Sequence, residues 1–200
     1  MKINRLMVLA IISVFIIFFM VLGLLFKPQS HSNRAEGFTY MDEDFDAPTG
    51  EPPAIPEGYR MDRPEFELEL YPPVEKGKVS SLYGMRLNPV SGKYKFHSGY
   101  DIAAKTGEDI HCALDGKVKL TAFDKNGYGN YVVIAHEGGA ETLYAHASKL
   151  LCKEGQSVKA GEAIAKVGST GGATGAHLHF EFKLNGERYD PEWLLGGLYN

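Results

Sequence analysis

Sustained helical periodicity is missing from everything after Phe26, and so is any excess of charge of one sign. The first absence excludes a domain built mainly from helices. The formal net charge of -4, with no basic stripe along the chain, excludes the electrostatic footprint that nucleic acids and other polyanions require. Cysteine is nearly absent. Cys112 and Cys152 are the only two, enough for a single disulfide in an extracytoplasmic domain or for two small buried residues. Their spacing fits no cysteine-based zinc motif. No convincing internal sequence repeat is present.

What is present is glycine and turn chemistry. The 200 residues allow one globular domain with appendages, and 23 glycines point to a turn-rich, β-dominated fold. Short strand patterns run over Lys117–Ala122, Tyr131–Ala135, Thr142–Ala145, Ala163–Val167 and Leu178–Leu184. Between them stand Asp115-Gly116, Asn126-Gly127, Gly138-Gly139, Asn185-Gly186 and the glycine-rich 168–175. Pro191–Leu195 suits one turn of helix, with proline at its first position.

The amino-terminal third is different. Leu6–Phe26 is apolar apart from Ser13 and carries no charge, which meets the need for about 20 apolar residues to cross a bilayer. Lys2 and Arg5 precede it, so residues 1–5 are expected in the cytoplasm and the rest outside it, behind a single-pass anchor at 6–26. A cleaved signal peptide is the competing reading; the long apolar run and the lack of a small-residue cleavage site argue against it. Residues 27–77 read as a linker, acidic at Glu43, Asp44 and Asp46 and broken by Pro48, Pro52, Pro53, Pro56, Pro72 and Pro73. Inside it Glu65, Glu67 and Glu69 alternate with Phe66, Leu68 and Leu70, a short strand that could dock on the domain or lie along its groove and hold it latent. The globular domain is expected over 78–200.

Seven histidines carry the chemical signal. His31 falls in the linker and reads as solvated, while His111 and His136 lie beside apolar strand residues and read as surface or structural groups. In the strand beginning His177-Leu178-His179, alternation puts His177, His179 and Glu181 on one face and Leu178, Phe180 and Phe182 on the other. Two imidazoles roughly 7 Å apart on a rigid strand can serve one ion. His97 and Asp101, four apart with Gly99 between them, offer a second pair of zinc-type donors, although a plain loop hydrogen bond fits as well. His146 ends a strand, and alternation places it on the face of Tyr144. There it could shuttle protons or stabilise an oxyanion.

Taken together, the H-x-x-x-D of His97 and Asp101, Gly129–Ile134 (GNYVVI), Thr142–His146 (TLYAH) and the GSTG…HLHFE of Gly168–Glu181 make the stretch from Gly84 to Leu195 resemble the lysostaphin-type zinc endopeptidases, the LytM domains. Their joint occurrence in this order is highly specific. The resemblance implies an all-β fold, an open twisted antiparallel sheet of the duplicated hybrid-motif kind, preceded here by the transmembrane helix and linker. It implies one Zn2+ per chain held by His97, Asp101 and His179, with His146 and His177 as the non-ligand catalytic pair. Asn88 falls where latent members place an additional ligand. The implied substrates are peptidoglycan stem or cross-bridge peptides. Ala176, Ala135 and Ala147 depart from the residues usual before His-Leu-His, before His136 and after His146, and none of them is a ligand.

Two other readings are weighed. Some relatives of that family have lost ligands and act as sporulation-channel components or amidase activators behind one membrane anchor, so a non-catalytic zinc-binding scaffold with a cell-wall or sporulation complex partner is the alternative function. The complete ligand set here favours the enzyme. A biotinyl- or lipoyl-like carrier is suggested by Gly155, Val158, Gly161 and Ile164, but these suit a tight β-corner, and no lysine stands in a modification hairpin.

Overall fold

The computed structural model describes residues 44–45, 52–64, 68–87, 93–195 and 197–199. The anchor read at Leu6–Phe26, the strand residues Glu65–Glu67 and Asn88 lie outside them. Among the described residues no helix is long and apolar enough to cross a membrane. Among the described residues the fold is all-β apart from a 3-10 turn at Glu137–Gly139 and one turn of α-helix.

In chain order the strands are β1 (Asp44–Phe45), β2 (Tyr59–Arg60), β3 (Lys78–Ser81), β4 (Gly84–Leu87), β5 (Tyr94–His97), β6 (Tyr100–Ala103), β7 (Asp109–His111) and β8 (Gly116–Asp124). There follow β9 (Gly129–His136), β10 (Ala140–Ala147), β11 (Lys149–Leu150), β12 (Ser157–Val158), β13 (Ala163–Lys166), β14 (His177–Leu184) and β15 (Glu187–Tyr189). Helix α1 (Glu192–Leu195) follows Pro191, where the sequence placed it. The main sheet runs β12-β8-β9-β10-β14-β15-β2, antiparallel except for the β15–β2 pair. Strand β14 is its hub. One edge pairs with β10 along 179–184, and the other pairs first with β6 and then with β15. Two small three-stranded sheets, β1-β5-β4 and β11-β13-β7, complete the ladders.

Alternation on the central strands builds the core. Val118, Val132, Ile134, Tyr144, Leu178, Phe180 and Phe182 all join one buried cluster with Ile102, Ile110 and Ile164. All five strand candidates exist; four run longer than their sequence patterns, because hairpin pairing carries the ladders into residues that look turn-like alone, while β13 stops one residue short of Val167. At the β14–β15 turn Asn185 and Gly186 take positive φ of 50° and 94°, the two-residue hairpin chemistry that Asn-Gly supplies. Cys112 is buried and Cys152 half-buried, both as free thiols. Burial pushes the Cys112 thiol up to about 11.

The end of the stretch read as a linker enters this core. Leu70 and Val74 are buried in it, Tyr71 N–H donates to the Ala113 carbonyl, and the Tyr199 hydroxyl bridges both backbone groups of Val74. A chain beginning at Lys78 should therefore unfold at lower temperature than one beginning at Pro52. Each lost aliphatic side chain removes about 1.5–3 kcal/mol of burial. Equal melting temperatures would contradict this. Among the described residues the hydrogen-bond and ring partners of 71–74 are His111, Ala113 and Tyr199, none of them one of the four site histidines, and the first half of the latency strand, 65–67, lies outside the described residues.

Candidate metal and catalytic site

Register creates the first pair of donors. His179 on β14 stands directly opposite Asp101 on β6, so both side chains leave the sheet on the same face. His179 Nδ1 lies 2.8 Å from Asp101 Oδ1. His97 arrives from the end of β5, and its Nε2 sits 3.1 Å from the same Oδ1 and 3.2 Å from His179 Nδ1. The three expected ligands thus form a triangle with donor atoms about 3 Å apart, the one three-residue group among the described residues with metal-binding geometry.

The donor set fits zinc. A tetrahedral ion with bonds of roughly 2.0–2.1 Å has ligand–ligand edges of about 3.3 Å, close to those distances. The outer ring nitrogens point the same way. His97 Nδ1 donates to the Leu82 carbonyl at 2.7 Å and His179 Nε2 donates to Glu181 Oε1 at 3.2 Å, which leaves His97 Nε2 and His179 Nδ1 bare in the tautomers these bonds assign. In those tautomers three lone pairs converge on one point, and in the metal-free protein a proton on His179 Nδ1 takes the place of the cation that such a site calls for. Burial opposes charge on His179, but its hydrogen bonds to Asp101 and Glu181 outweigh burial and raise it to about 9. Burial lowers His97 despite Asp101. Asp101 is held far below the usual carboxylate range, its burial overridden by His179 and His97.

The sign of a pH effect follows. At pH 7 the metal-free His179 carries a proton that zinc must displace. Calorimetric titrations at pH 7 in buffers of different ionisation enthalpy should report about one proton released per zinc, fading as pH rises past about 9. Absence of release at pH 7 would contradict the assignment of His179 Nδ1.

Gly99 is required for space and not for a turn. A Cβ there would lie 2.7 Å from His179 Nε2 and Cε1 and 2.6 Å from the Phe180 carbonyl. Gly99→Ala should tilt the His179 ring and weaken zinc binding by about tenfold or more, in the range seen when a ligand loses its orienting contacts. Chelator competition measures this, and an unchanged affinity would refute it.

The second pair of histidines faces the same space. His146 and His177 ring centroids are 4.7 Å apart, and His146 lies 5.7 Å from His179. Each donates Nδ1–H to a backbone carbonyl, His146 to Thr170 at 2.8 Å and His177 to Gly175 at 2.9 Å. Both therefore expose a bare Nε2, and that of His177 is 3.8 Å from Asp101 Oδ1. Burial, then His179, push His146 down to about 4, so it is neutral at pH 7.

Strand alternation misplaces His146. Tyr144 points into the core, and so would His146 on a regular strand, since Ala145 is the residue opposite His179. The register against β9 instead shifts between Tyr144 and Ala147, and His146 takes φ +61°. This left-handed conformation costs a non-glycine residue about 1–3 kcal/mol. It turns the imidazole to the site face, and the His146 N–H is held there by the Tyr128 carbonyl at 2.8 Å. His136 and His111 stay away from the group. His136 bridges the Asp115 carbonyl and Thr142 Oγ1, and His111 packs edge-on against Tyr71.

Residues 95–191 match the model of peptidase family M23, and the chain belongs to that family. The catalytic domain of lysostaphin from Staphylococcus simulans is 30% identical with a TM-score of 0.55, covering 60% of this chain and 93% of that one. A zinc-containing peptidase from Vibrio cholerae is 38% identical with a TM-score of 0.56, over 61% of this chain and 38% of that one. Among curated proteins, the DD-carboxypeptidase/endopeptidase Mpg of Neisseria meningitidis serogroup B is 42% identical over 126 residues, 63% of this chain. The chain spans 28% of the Mpg length.

Proposed function

We propose that the chain is a zinc-dependent endopeptidase acting on peptidoglycan peptides, held at the outer face of a membrane by Leu6–Phe26. The observation that carries this reading is the meeting of two groups in one space: the triangle of His97, Asp101 and His179, and the paired bare Nε2 atoms of His146 and His177. Family membership supports the same chemistry. Greater identity to a DD-carboxypeptidase/endopeptidase than to lysostaphin favours D,D bonds of stem-peptide cross-links over other wall bonds.

His97, Asp101 and His179 would hold the ion. Bound there, zinc would supply Lewis acidity, polarising a scissile carbonyl and lowering the pKa of attacking water. The chain's own work is proton handling. His146 and His177, oriented by Thr170 and Gly175, accept the proton of the attacking water at Nε2. The imidazolium so formed stabilises the developing oxyanion by a hydrogen bond and passes its proton to the departing amine. His146, neutral at pH 7, gives that proton up readily.

Digestion of isolated peptidoglycan by the purified zinc-loaded chain, with mass spectrometry of the released muropeptides, tests the reading. Loss of cross-linked dimers in favour of monomers is expected. Wall material left intact, whatever its cross-link chemistry, would count against an enzyme and favour a zinc-binding scaffold.

A further inference from the structure

Glu181 has no part in the chemistry above, yet it is fully buried at the back of the site. Its two oxygens do different things. Oε2 accepts from Arg188 Nε at 2.8 Å, a pairing that alone would neutralise the charge. Oε1 instead gathers three donors: Ser98 Oγ at 2.6 Å, the Tyr128 hydroxyl, and His179 Nε2 at 3.2 Å. A purely structural ion pair has no need of that convergence.

The three donors come from three segments: the β5–β6 turn, the β8–β9 turn that touches the His146 backbone, and β14 itself. Ser98 follows the ligand His97. Tyr128 offers its carbonyl to the His146 N–H and sets its ring 5.7 Å from that of His179. His179 is itself a ligand. We infer that Glu181 is the positioning residue of the metal site: its buried carboxylate holds His179 with Nε2 protonated and Nδ1 aimed at the ion, and through Tyr128 it couples that ring to the backbone that presents His146. The inference rests on the zinc-site reading above. Arg188 anchors the carboxylate from behind and lies over the Tyr59 ring at 5.0 Å, fixing its own position. A carboxylate behind a ligating imidazole raises its donor strength and locks its tautomer.

The test compares the 200-residue chain in detergent with its Glu181→Gln variant, which keeps the shape and removes the charge. Zinc affinity is read by competition with a chromophoric chelator, and cobalt-substituted protein gives the ligand field. Expected are a zinc affinity lower by about 10- to 100-fold and a shifted cobalt d–d band, changes that a residue needed only for folding would not produce in a variant that still unfolds cooperatively. Zinc affinity within twofold of wild type, with an unchanged cobalt spectrum, overturns the inference and leaves the zinc site standing. A wild-type chain that binds no zinc overturns both together. If Glu181→Gln does not fold, nitrogen-15 NMR of zinc-loaded wild type decides instead. His179 protonated on Nε2 and metallated on Nδ1 sustains the proposal, and the opposite arrangement ends it.

Discussion

His179→Ala should abolish metal binding and cleavage in the same step. The substitution removes one of three donors from a site whose remaining edge is His97 Nε2 to Asp101 Oδ1 at 3.1 Å. Two protein ligands fall short of the three that catalytic zinc sites use. It also takes the imidazole from between two carboxylates, Asp101 and Glu181, which both lean on it. Both are acceptors only at neutral pH, so the cavity acquires electrostatic repulsion as well as a void. Metal analysis of the purified variant should find zinc at background, and peptidoglycan digestion should be undetectable. Stoichiometric zinc in His179→Ala would mean the ion is held elsewhere.

His146→Ala should separate what His179→Ala joins. Nothing in the ligand triangle passes through His146, whose Nδ1 is tied to Thr170 and whose Nε2 is free. Zinc content should remain near one per chain, while turnover falls by about 10²- to 10⁴-fold, the usual span for losing a positioned acid–base group. Alanine does not relieve the left-handed φ of +61°, so the loop keeps its strain and the measured loss reports the imidazole. Loss of zinc in this variant would overturn the division between ligands and proton carriers.

Much of this site was legible in the residues because a strand's period of two is rigid. His177, His179 and Glu181 do share a face, and Leu178, Phe180 and Phe182 do fill the core. The place of Asp101 depended on register: opposite His179 it is a ligand, and one residue of slip would turn it to the other face. His146 defeated alternation because its bulge lacks a local marker. Neither glycine nor proline stands in Thr142–Ala147, and the left-handed residue is the histidine itself. Glu181 was visible on the correct face, but its partners Ser98, Tyr128 and Arg188 come from three other segments and meet it only in the folded chain. The proline pairs at 52–53 and 72–73 read as a spacer, and the second is an anchor: the Pro73 carbonyl accepts from His111 N–H as Val74 enters the core.

The central claim is that His97, Asp101 and His179 hold one zinc while His146 and His177 stand free beside it. Anomalous diffraction at the zinc edge from crystals of the zinc-loaded chain tests it in one measurement. The account predicts a single peak bonded to His97 Nε2, Asp101 Oδ1 and His179 Nδ1, with neither His146 nor His177 as a ligand. A peak coordinated by His146 or His177, or no peak within the triangle, would contradict it.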